Sequence, residues 1–233
     1  LLFSCCLLAF TSCEIDNYAG PNASIHGSIL DEKTGELIGM DIQENSLRVV
    51  EQGFSTTENQ YWKIKNTGEY QNDMIFAATY NISFVDGNCF SFKEDNVAIK
   101  KGKNTKDFKA IPYIRVKNPS ITKNGKTVTA TFSLEAGKEE VKLSSIQLFA
   151  FSDMWVGHSI RFALASGTDA EEFETPIAID PSKTYTLTID LEKDASYFKY
   201  TGKNYFFRIG ALASLSGQGT IRHNYSPLVT IPF

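Results

Sequence analysis

The segment that determines the fold class is Lys126-Thr127-Val128-Thr129-Ala130-Thr131-Phe132-Ser133-Leu134, in which apolar and polar residues alternate without interruption. A period of two is typical of a β-strand with one face on a core and the other in solvent. Asn124-Gly125 comes just before it and supplies residues that favour a tight turn. The residues predicted to face the interior of a sheet are Val128, Ala130, Phe132 and Leu134.

Short strand patterns recur on both sides of this segment. Residues 23–29 alternate in the same way, and Gly35 supplies the positive φ of the turn that follows. Two strand-like runs, residues 80–85 and 88–92, flank Asp86-Gly87, a pair that predicts a β-hairpin with a tight turn. Further strands are predicted at residues 47–50, 145–151, 160–164, 184–191, 205–211 and 228–233. No helix is predicted, and residues 170–173 are expected to form at most a turn.

These patterns predict an all-β protein with two antiparallel β-sandwich domains in tandem. The 233 residues, of which 42% are hydrophobic, are enough for a substantial core and for one large or two small domains. Pro112 interrupts an apolar run, so we place the domain boundary near residue 110. The predicted organisation is a signal-peptide remnant at residues 1–12, a lipidated cysteine and tether at 13–22, and sandwiches at 23–110 and 111–233.

The N-terminal residues resemble the lipobox of a bacterial lipoprotein. An apolar run ends with small residues and a cysteine in Leu7-Leu8-Ala9-Phe10-Thr11-Ser12-Cys13, and acidic residues follow. A membrane-spanning helix needs about 20 apolar residues, more than this run provides. Phe10 departs from the aliphatic residue usual at its position, and Cys5 and Cys6 are rival acceptors. We take Cys13 as the predicted lipidation site, which makes residues 1–12 the end of a signal peptide.

The sequence contains no recognisable catalytic or metal-binding set. The three histidines, His26, His158 and His223, are isolated in sequence, and no His-Glu-x-x-His spacing is present. The acidic and basic residues, which sum to a net charge of -4, are interspersed along the chain. The lysines of residues 100–103 indicate a solvated turn. Nucleic acid is therefore not an expected partner. Cys89, the one thiol left free once Cys13 is acylated, is expected to be partly buried and inert. No cofactor is expected, and the protein is predicted not to be an enzyme.

Aromatic side chains are the remaining candidates for ligand binding, because the apolar face of a sugar ring stacks on an exposed aromatic surface. Trp155 lies between two predicted strands, in a position where loops often carry function. Packing against the neighbouring domain is the alternative interpretation of Trp155. Tyr197 and Tyr200 form a second loop candidate. Trp62 is also considered, although it shares a strand face with Ile64, which favours the core.

The chain resembles an uncharacterised family of two-domain lipoproteins from gut Bacteroidetes. The matching segments are residues 16–18, 27–38, 76–80, 107–108, 111–116, 155–157, 205–211 and 224–226. Residues 27–38 also look like the start of transthyretin-like, carboxypeptidase-regulatory-type modules. The resemblance implies a transthyretin-like domain followed by an immunoglobulin-like or fibronectin-like domain, lipid-anchored in the outer membrane and exposed at the cell surface. It also implies partners: a TonB-dependent transporter and its glycan-binding lipoprotein, as in Sus-type polysaccharide-utilisation systems.

The leading hypothesis is therefore a non-catalytic surface lipoprotein that binds or presents glycans for an outer-membrane importer. The alternative is a structural or protein-interaction module of the same importer without sugar affinity. An enzyme ranks third, because a glycosidase needs two carboxyl groups about 5 to 9.5 Å apart and sequence alone does not exclude such a pair.

Overall fold

The computed structural model describes residues 19–42 and 45–233, so Cys13 and the predicted signal-peptide remnant lie outside the described residues. The described part of the chain forms sixteen β-strands and no helix, which confirms the all-β prediction. It accordingly contains no helix able to cross a membrane. The strands are β1 (Ala23–Asp31), β2 (Ser46–Glu51), β3 (Asn59–Lys63), β4 (Glu69–Ile75), β5 (Thr79–Phe84), β6 (Phe92–Ala98), β7 (Gly102–Thr105), β8 (Phe108–Ala110), β9 (Ile114–Asn124), β10 (Thr127–Ala136), β11 (Lys142–Phe151), β12 (Ala170–Ala178), β13 (Thr184–Asp190), β14 (Asn204–Ser214), β15 (Asn224–Tyr225) and β16 (Val229–Pro232).

The first domain packs two sheets around one core. One sheet has the order β4-β1-β7, with β8 also paired to β1, and the other has the order β3-β2-β5-β6. β1 is antiparallel to β4 but parallel to β7 and β8. The largest side chains of the core are Trp62, Tyr70, Tyr80, Phe84 and Phe108. Ala23, Ile25 and Ile29 are buried, so the predicted inward face of β1 is confirmed.

Gly27 lets the connection between β7 and β8 pass directly over β1. A Cβ atom built on Gly27 would lie 1.7 Å from the carbonyl oxygen of Lys106, so no other residue fits there. The same carbonyl accepts a hydrogen bond from the Tyr70 hydroxyl at 2.6 Å, and the Lys106 N–H donates to the His26 carbonyl. This crossover holds β7 and β8 in line along the same edge of β1.

The second domain packs the sheet β13-β10-β9 against the sheet β12-β11-β14-β15, in which β16 also pairs with β14. β10 lies between β9 and β13 and is antiparallel to both. Its four predicted inward-facing residues are at most 2% exposed, which confirms the alternation argument: Val128, Ala130, Phe132 and Leu134. The main residues opposite them are Leu148, Phe207 and Ile209.

A hairpin forms here, but its second strand is β6 rather than the predicted residues 88–92, and the predicted tight turn at Asp86-Gly87 is absent. β5 and β6 pair from Thr79↔Ala98 to Phe84↔Phe92, so the connection spans residues 85–91. Gly87 instead bridges to Ile221 of the second domain, and Asp86 Oδ1 accepts a hydrogen bond from the Thr220 N–H at 2.7 Å. Contacts with the second domain therefore override the local turn preference of Asp86-Gly87.

Two further predictions of local structure were wrong. Residues 160–164 form no strand, because Phe162 packs its ring against Phe151 and Tyr197 while the segment joins no ladder. Residues 170–173 begin strand β12 rather than a turn. β12 is the edge strand beside β11, and most of its residues are exposed, so it lacks the apolar alternation by which strands are predicted.

Cys89 lies in the loop between β5 and β6 and is only 1% exposed. Its side chain is thus fully rather than partly buried. Burial raises the pKa of its thiol, and the thiolate is the reactive form of cysteine. We therefore expect Cys89 to be unreactive in the folded protein.

Candidate functional site

A cleft of about 430 Å³ lies between the two domains. The first domain contributes the end of β1, the loop that follows it and the turn between β3 and β4. The second domain contributes the start of β9, the loop after β11, one residue of β14 and the segment around β15. Clefts at domain interfaces are frequent sites of small-molecule binding.

A buried ion pair forms one wall of the cleft. Arg115 donates from Nε and Nη2 to the two carboxylate oxygens of Asp31, at 2.5 and 2.7 Å. Its Nη1 donates to Glu135 at 3.1 Å, and Lys33 Nζ reaches the same glutamate oxygen at 2.8 Å. Asp31 is 5% and Arg115 is 9% exposed. The pair joins the domains with fixed geometry, because bidentate contacts set both distance and orientation.

The stability of the protein should depend on the ionisation of Asp31. Burial opposes that ionisation, but hydrogen bonds from Arg115 and the Lys33 N–H outweigh it and hold the pKa of Asp31 below its usual value of 3.8. A carboxyl group with a lowered folded-state pKa stabilises the fold above its unfolded-state pKa and loses that effect as the pH falls. We expect the wild type to exceed Asp31→Asn in stability at neutral pH and this advantage to shrink below about pH 4. Urea unfolding of both proteins from about pH 7 to about pH 2 measures it, and a constant difference would contradict the prediction.

Arg208 and Asn66 are deeply buried polar residues of the cleft, at 3% and 5% exposure. Arg208 donates to three backbone carbonyls, those of Met40 and Asn66 in the first domain and Ser226 in the second. Burial lowers the pKa of Arg208 to about 10, so the side chain stays positively charged at neutral pH. Its guanidinium also lies 4.2 Å from the centre of the Tyr225 ring. One side chain thus ties together segments of both domains.

The Asn66 side chain has one polar atom that is hydrogen-bonded and one that is not. Its Nδ2 donates to the carbonyl of Met154 at 2.7 Å, which holds the loop after β11 against the first domain. Its Oδ1 is buried and has no hydrogen-bond partner. A buried acceptor without a partner is costly, and a ligand donor in the cleft would remove that cost.

Further polar contacts fix the two domains beside the cleft. Asp41 Oδ2 accepts from the Ser159 N–H at 2.9 Å and from the Tyr225 hydroxyl at 3.2 Å. Asn88 Nδ2 donates to the carbonyls of Gly39 and His223, while Asn224 Nδ2 donates to the carbonyl of Asn88. Because these groups are buried and hydrogen-bonded across the interface, the cleft has a preformed shape.

The mouth of the cleft is apolar. Leu37, in the loop after β1, is 47% exposed, and Met154, in the loop after β11, is 43% exposed. Both line the cleft together with Ile38 and Leu228. The cleft therefore offers apolar contact at its opening and hydrogen-bonding groups at its base.

The four aromatic residues predicted from the sequence do not line this cleft. Trp155 is half-buried and follows Met154 directly, so it lies beside the site without forming part of its lining. Its neighbours Val156 and Gly157 are buried, and a Cβ on Gly157 would lie 2.8 Å from Asp41 Oδ2. Val156 and Gly157 therefore pack at the interface between the domains.

The other three aromatic residues lie elsewhere. Trp62 is 4% exposed and packs between Tyr70 and Tyr80 in the first core, on the same face as Ile64. Tyr197 is half-buried and stacks on Phe162 at 4.7 Å. Tyr200 is 53% exposed, in the loop before β14. The structure does not gather these rings into one platform.

Two of the three histidines, isolated in sequence, meet in the structure. The rings of His158 and His223 stack at 4.8 Å beside the interface. Burial, with a further contribution from His158, lowers the pKa of His223 to about 3, so its ring is neutral at physiological pH. Among residues 19–42 and 45–233, no group of three or more His, Cys, Asp or Glu side chains is placed to hold a metal ion.

Sequence reasoning missed the polar residues of the cleft: Asp31, Asn66, Arg115 and Arg208. Arg115 interrupts the apolar run of residues 111–116, and Arg208 interrupts the apolar run of residues 205–211. A charged residue in such a position is either exposed at an edge or buried with partners. This pattern could have identified Arg115 and Arg208 as candidates for buried, hydrogen-bonded residues. Asn66 has no comparable signal, because its surroundings in sequence are those of an ordinary turn.

Comparison with known proteins identifies relatives of both domains. Residues 23–111 match the family model described as the N-terminal domain of a protein of unknown function, DUF3823, and residues 114–230 match its C-terminal domain of unknown function. A crystal structure from Bacteroides uniformis, described as that of "a putative carbohydrate binding protein", is 56% identical, with a TM-score of 0.88. The match covers 92% of this chain and 100% of that one.

More distant structures share the fold. A DUF3823 family protein from Parabacteroides merdae is 16% identical, with a TM-score of 0.71 over 91% of this chain and 100% of that one. Another from Bacteroides ovatus is 14% identical, with a TM-score of 0.69 over 90% of this chain and 98% of that one. No curated protein matches the chain.

Proposed function

The chain belongs to the DUF3823 family, and from this premise we propose that it binds a carbohydrate in the interdomain cleft without cleaving it. The observation that carries the proposal is the composition of the cleft, with an apolar mouth at Leu37 and Met154 and the partnerless Asn66 Oδ1 at its base. A sugar ring has the matching character, because its C–H faces are apolar and its hydroxyl groups are hydrogen-bond donors. The description of the 56% identical relative supports the same class of ligand.

The state of Asp31 supports binding without catalysis. It is the buried carboxylate of the cleft, and both of its oxygens accept hydrogen bonds from Arg115. Because its pKa is lowered, Asp31 is ionised at neutral pH and has no proton to give to a leaving group. A glycosidase needs one carboxyl group in the protonated form, which Asp31 does not supply.

The proposed setting is the outer membrane. Lipidation at Cys13 would anchor the chain there, facing the cell surface. A TonB-dependent transporter and its glycan-binding lipoprotein are the proposed partners, to which this protein would deliver or present glycans. The motif at residues 7–13 and the family resemblance support this setting.

A glycan panel tests the binding site. The chain from Glu14 onward contains every described residue and would be screened as wild type and as the double variant Leu37→Ser with Met154→Ser. We expect a retained glycan to bind the double variant about tenfold more weakly, because two exposed apolar contacts are lost while the core is untouched. Isothermal titration with the retained glycan measures the change.

Tyr61→Ser is the matched control, because it removes an exposed aromatic side chain that does not line the cleft. An equal loss of affinity in Tyr61→Ser would refute the cleft as the site. A panel in which no glycan is retained would refute the proposal itself. Co-purification with transporter subunits without any sugar affinity would instead favour the structural role.

A further inference from the structure

The chain enters the first domain at the end opposite to the cleft. β1 starts at Ala23, which pairs with Ile75 at the end of β4 and with Gly102 at the start of β7. Asn22 is held there as well, since its N–H donates to the Ile75 carbonyl and its own carbonyl accepts from the Gly102 N–H. We call this end of the domain the tether end. It comprises residues 19–23, 51–58, 73–79 and 97–103.

Three large apolar side chains are exposed at the tether end. Phe54 is 64% exposed, Met74 is 77% exposed and Phe76 is 43% exposed. Their strands meet at this end, because Gln52 bonds to Thr79 and the connection 76–78 leads from β4 to β5. Large apolar side chains grouped at one end of a domain typically mark a contact with a protein or a membrane.

Lysines lie beside these apolar residues. Lys100, Lys101 and Lys103 flank Gly102, the residue that pairs with Ala23 at the entrance of the chain. All three are exposed. The acids of the tether end among the described residues are Glu51, Glu58 and Asp73. The three acids balance the three lysines, so the tether end as a whole has no net charge and the lysines form only a local cluster. The apolar residues must therefore supply most of the attraction to any surface.

We propose that the tether end rests on the membrane, with Phe54, Met74 and Phe76 in the lipid interface and the lysine cluster against anionic headgroups. The proposal rests on the proposed anchoring at Cys13. Ala23 lies ten positions after Cys13, and the chain between them spans at most about 36 Å. The anchor thus keeps the tether end close to the bilayer, where apolar side chains and basic groups both contribute to surface binding.

The same geometry places the cleft away from the membrane. β1 runs from Ala23 at the tether end to Asp31 in the wall of the cleft. At about 3.3 Å per residue, eight steps along the strand separate the two by about 26 Å. The first domain is then a spacer that holds the cleft clear of the headgroups and open to ligands from outside.

A fluorescence experiment tests this orientation. The chain from Glu14 onward would carry an N-terminal hexahistidine segment bound to nickel-chelating lipids, which replaces the acyl anchor at nearly the same place. Met74→Cys and, in a second protein, Leu37→Cys would be labelled with an environment-sensitive fluorophore; Cys89 is buried and should not react. On vesicles of phosphatidylcholine and phosphatidylglycerol, we expect a lipid-borne quencher to act at least about fivefold more strongly on the label at position 74.

Two variants make the test specific. Phe54→Ser with Phe76→Ser should at least halve the quenching at position 74, because the insertion of the whole end is weakened. Replacing Lys100, Lys101 and Lys103 by Gln should reduce the quenching at position 74 only on vesicles that contain phosphatidylglycerol. Equal quenching at positions 74 and 37, or stronger quenching at position 37, would overturn the proposal. Glycan affinity without vesicles and the mass of the residue at position 13 report separately on the cleft and on the anchor.

Discussion

Arg115→Ala should lower the free energy of unfolding by about 3–5 kcal/mol, the range found when one partner of a buried ion pair is removed. The variant leaves the Asp31 carboxylate buried without the two hydrogen bonds that balance its loss of hydration. It also removes a link between β1 of the first domain and β9 of the second. Urea unfolding at neutral pH, followed by far-UV circular dichroism, measures the change.

Lys126→Ala is the matched control for Arg115→Ala. It also removes the cation of an ion pair, that of Lys126 with Glu192, but both of those side chains are largely exposed. Exposed pairs add little to stability because water and salt screen them, so the control should unfold close to the wild type. Equal losses in the two variants would show that the Asp31–Arg115 pair does not have the effect of a buried pair.

Arg208→Ala should cost at least about 3 kcal/mol and loosen the connection between the domains, because three carbonyls lose a charged donor at once. Two of those carbonyls belong to the first domain and one to the second. We therefore expect the wild type to unfold more cooperatively than the variant, in which the domains should separate into two transitions. Differential scanning calorimetry distinguishes one transition from two.

Arg161→Ala is the control for Arg208→Ala. Arg161 is exposed, and its Nη1 donates to the carbonyl of His158 near the same interface. Its loss removes an arginine and a hydrogen bond without burying an unpaired group. A variant at position 208 that unfolds in a single transition at the wild-type temperature would contradict the role assigned to Arg208.

The sequence predicted the fold best where one face of a strand is buried and the other is in solvent. The alternation in β1 and β10 identified their inward faces correctly, because burial alone decides such a pattern. Prediction failed for β12, an edge strand held by backbone pairing with β11. Backbone pairing does not require apolar and polar residues to alternate, so the sequence of β12 shows no strand pattern. It also failed at Asp86-Gly87, where contacts more than 130 residues away in sequence determine the loop.

The candidate site was harder to predict than the fold. Aromatic residues stood out in the sequence, yet Trp62 is needed in the core and Trp155 lies beside the cleft. The cleft is formed by polar residues that come together only when both domains are in place, such as Asp31 and Arg115, 84 positions apart. The predicted membership of a two-domain family was correct. The match to the C-terminal domain of that family includes the segments that contain Arg115 and Arg208.

The pairing of β1 also sets the order in which the first domain can be completed. One edge of β1 pairs with β7 and β8, the last strands of the domain. Ala23 pairs with Gly102, so the chain between these two residues must close into a loop before that edge is complete. Closing so long a loop is slow, because its entropy is lost before the contacts form. Until β7 and β8 have paired with β1, that edge presents unpaired N–H and C=O groups to other chains, as edge strands do. The folding chain is thus most exposed to aggregation just before its first domain is complete.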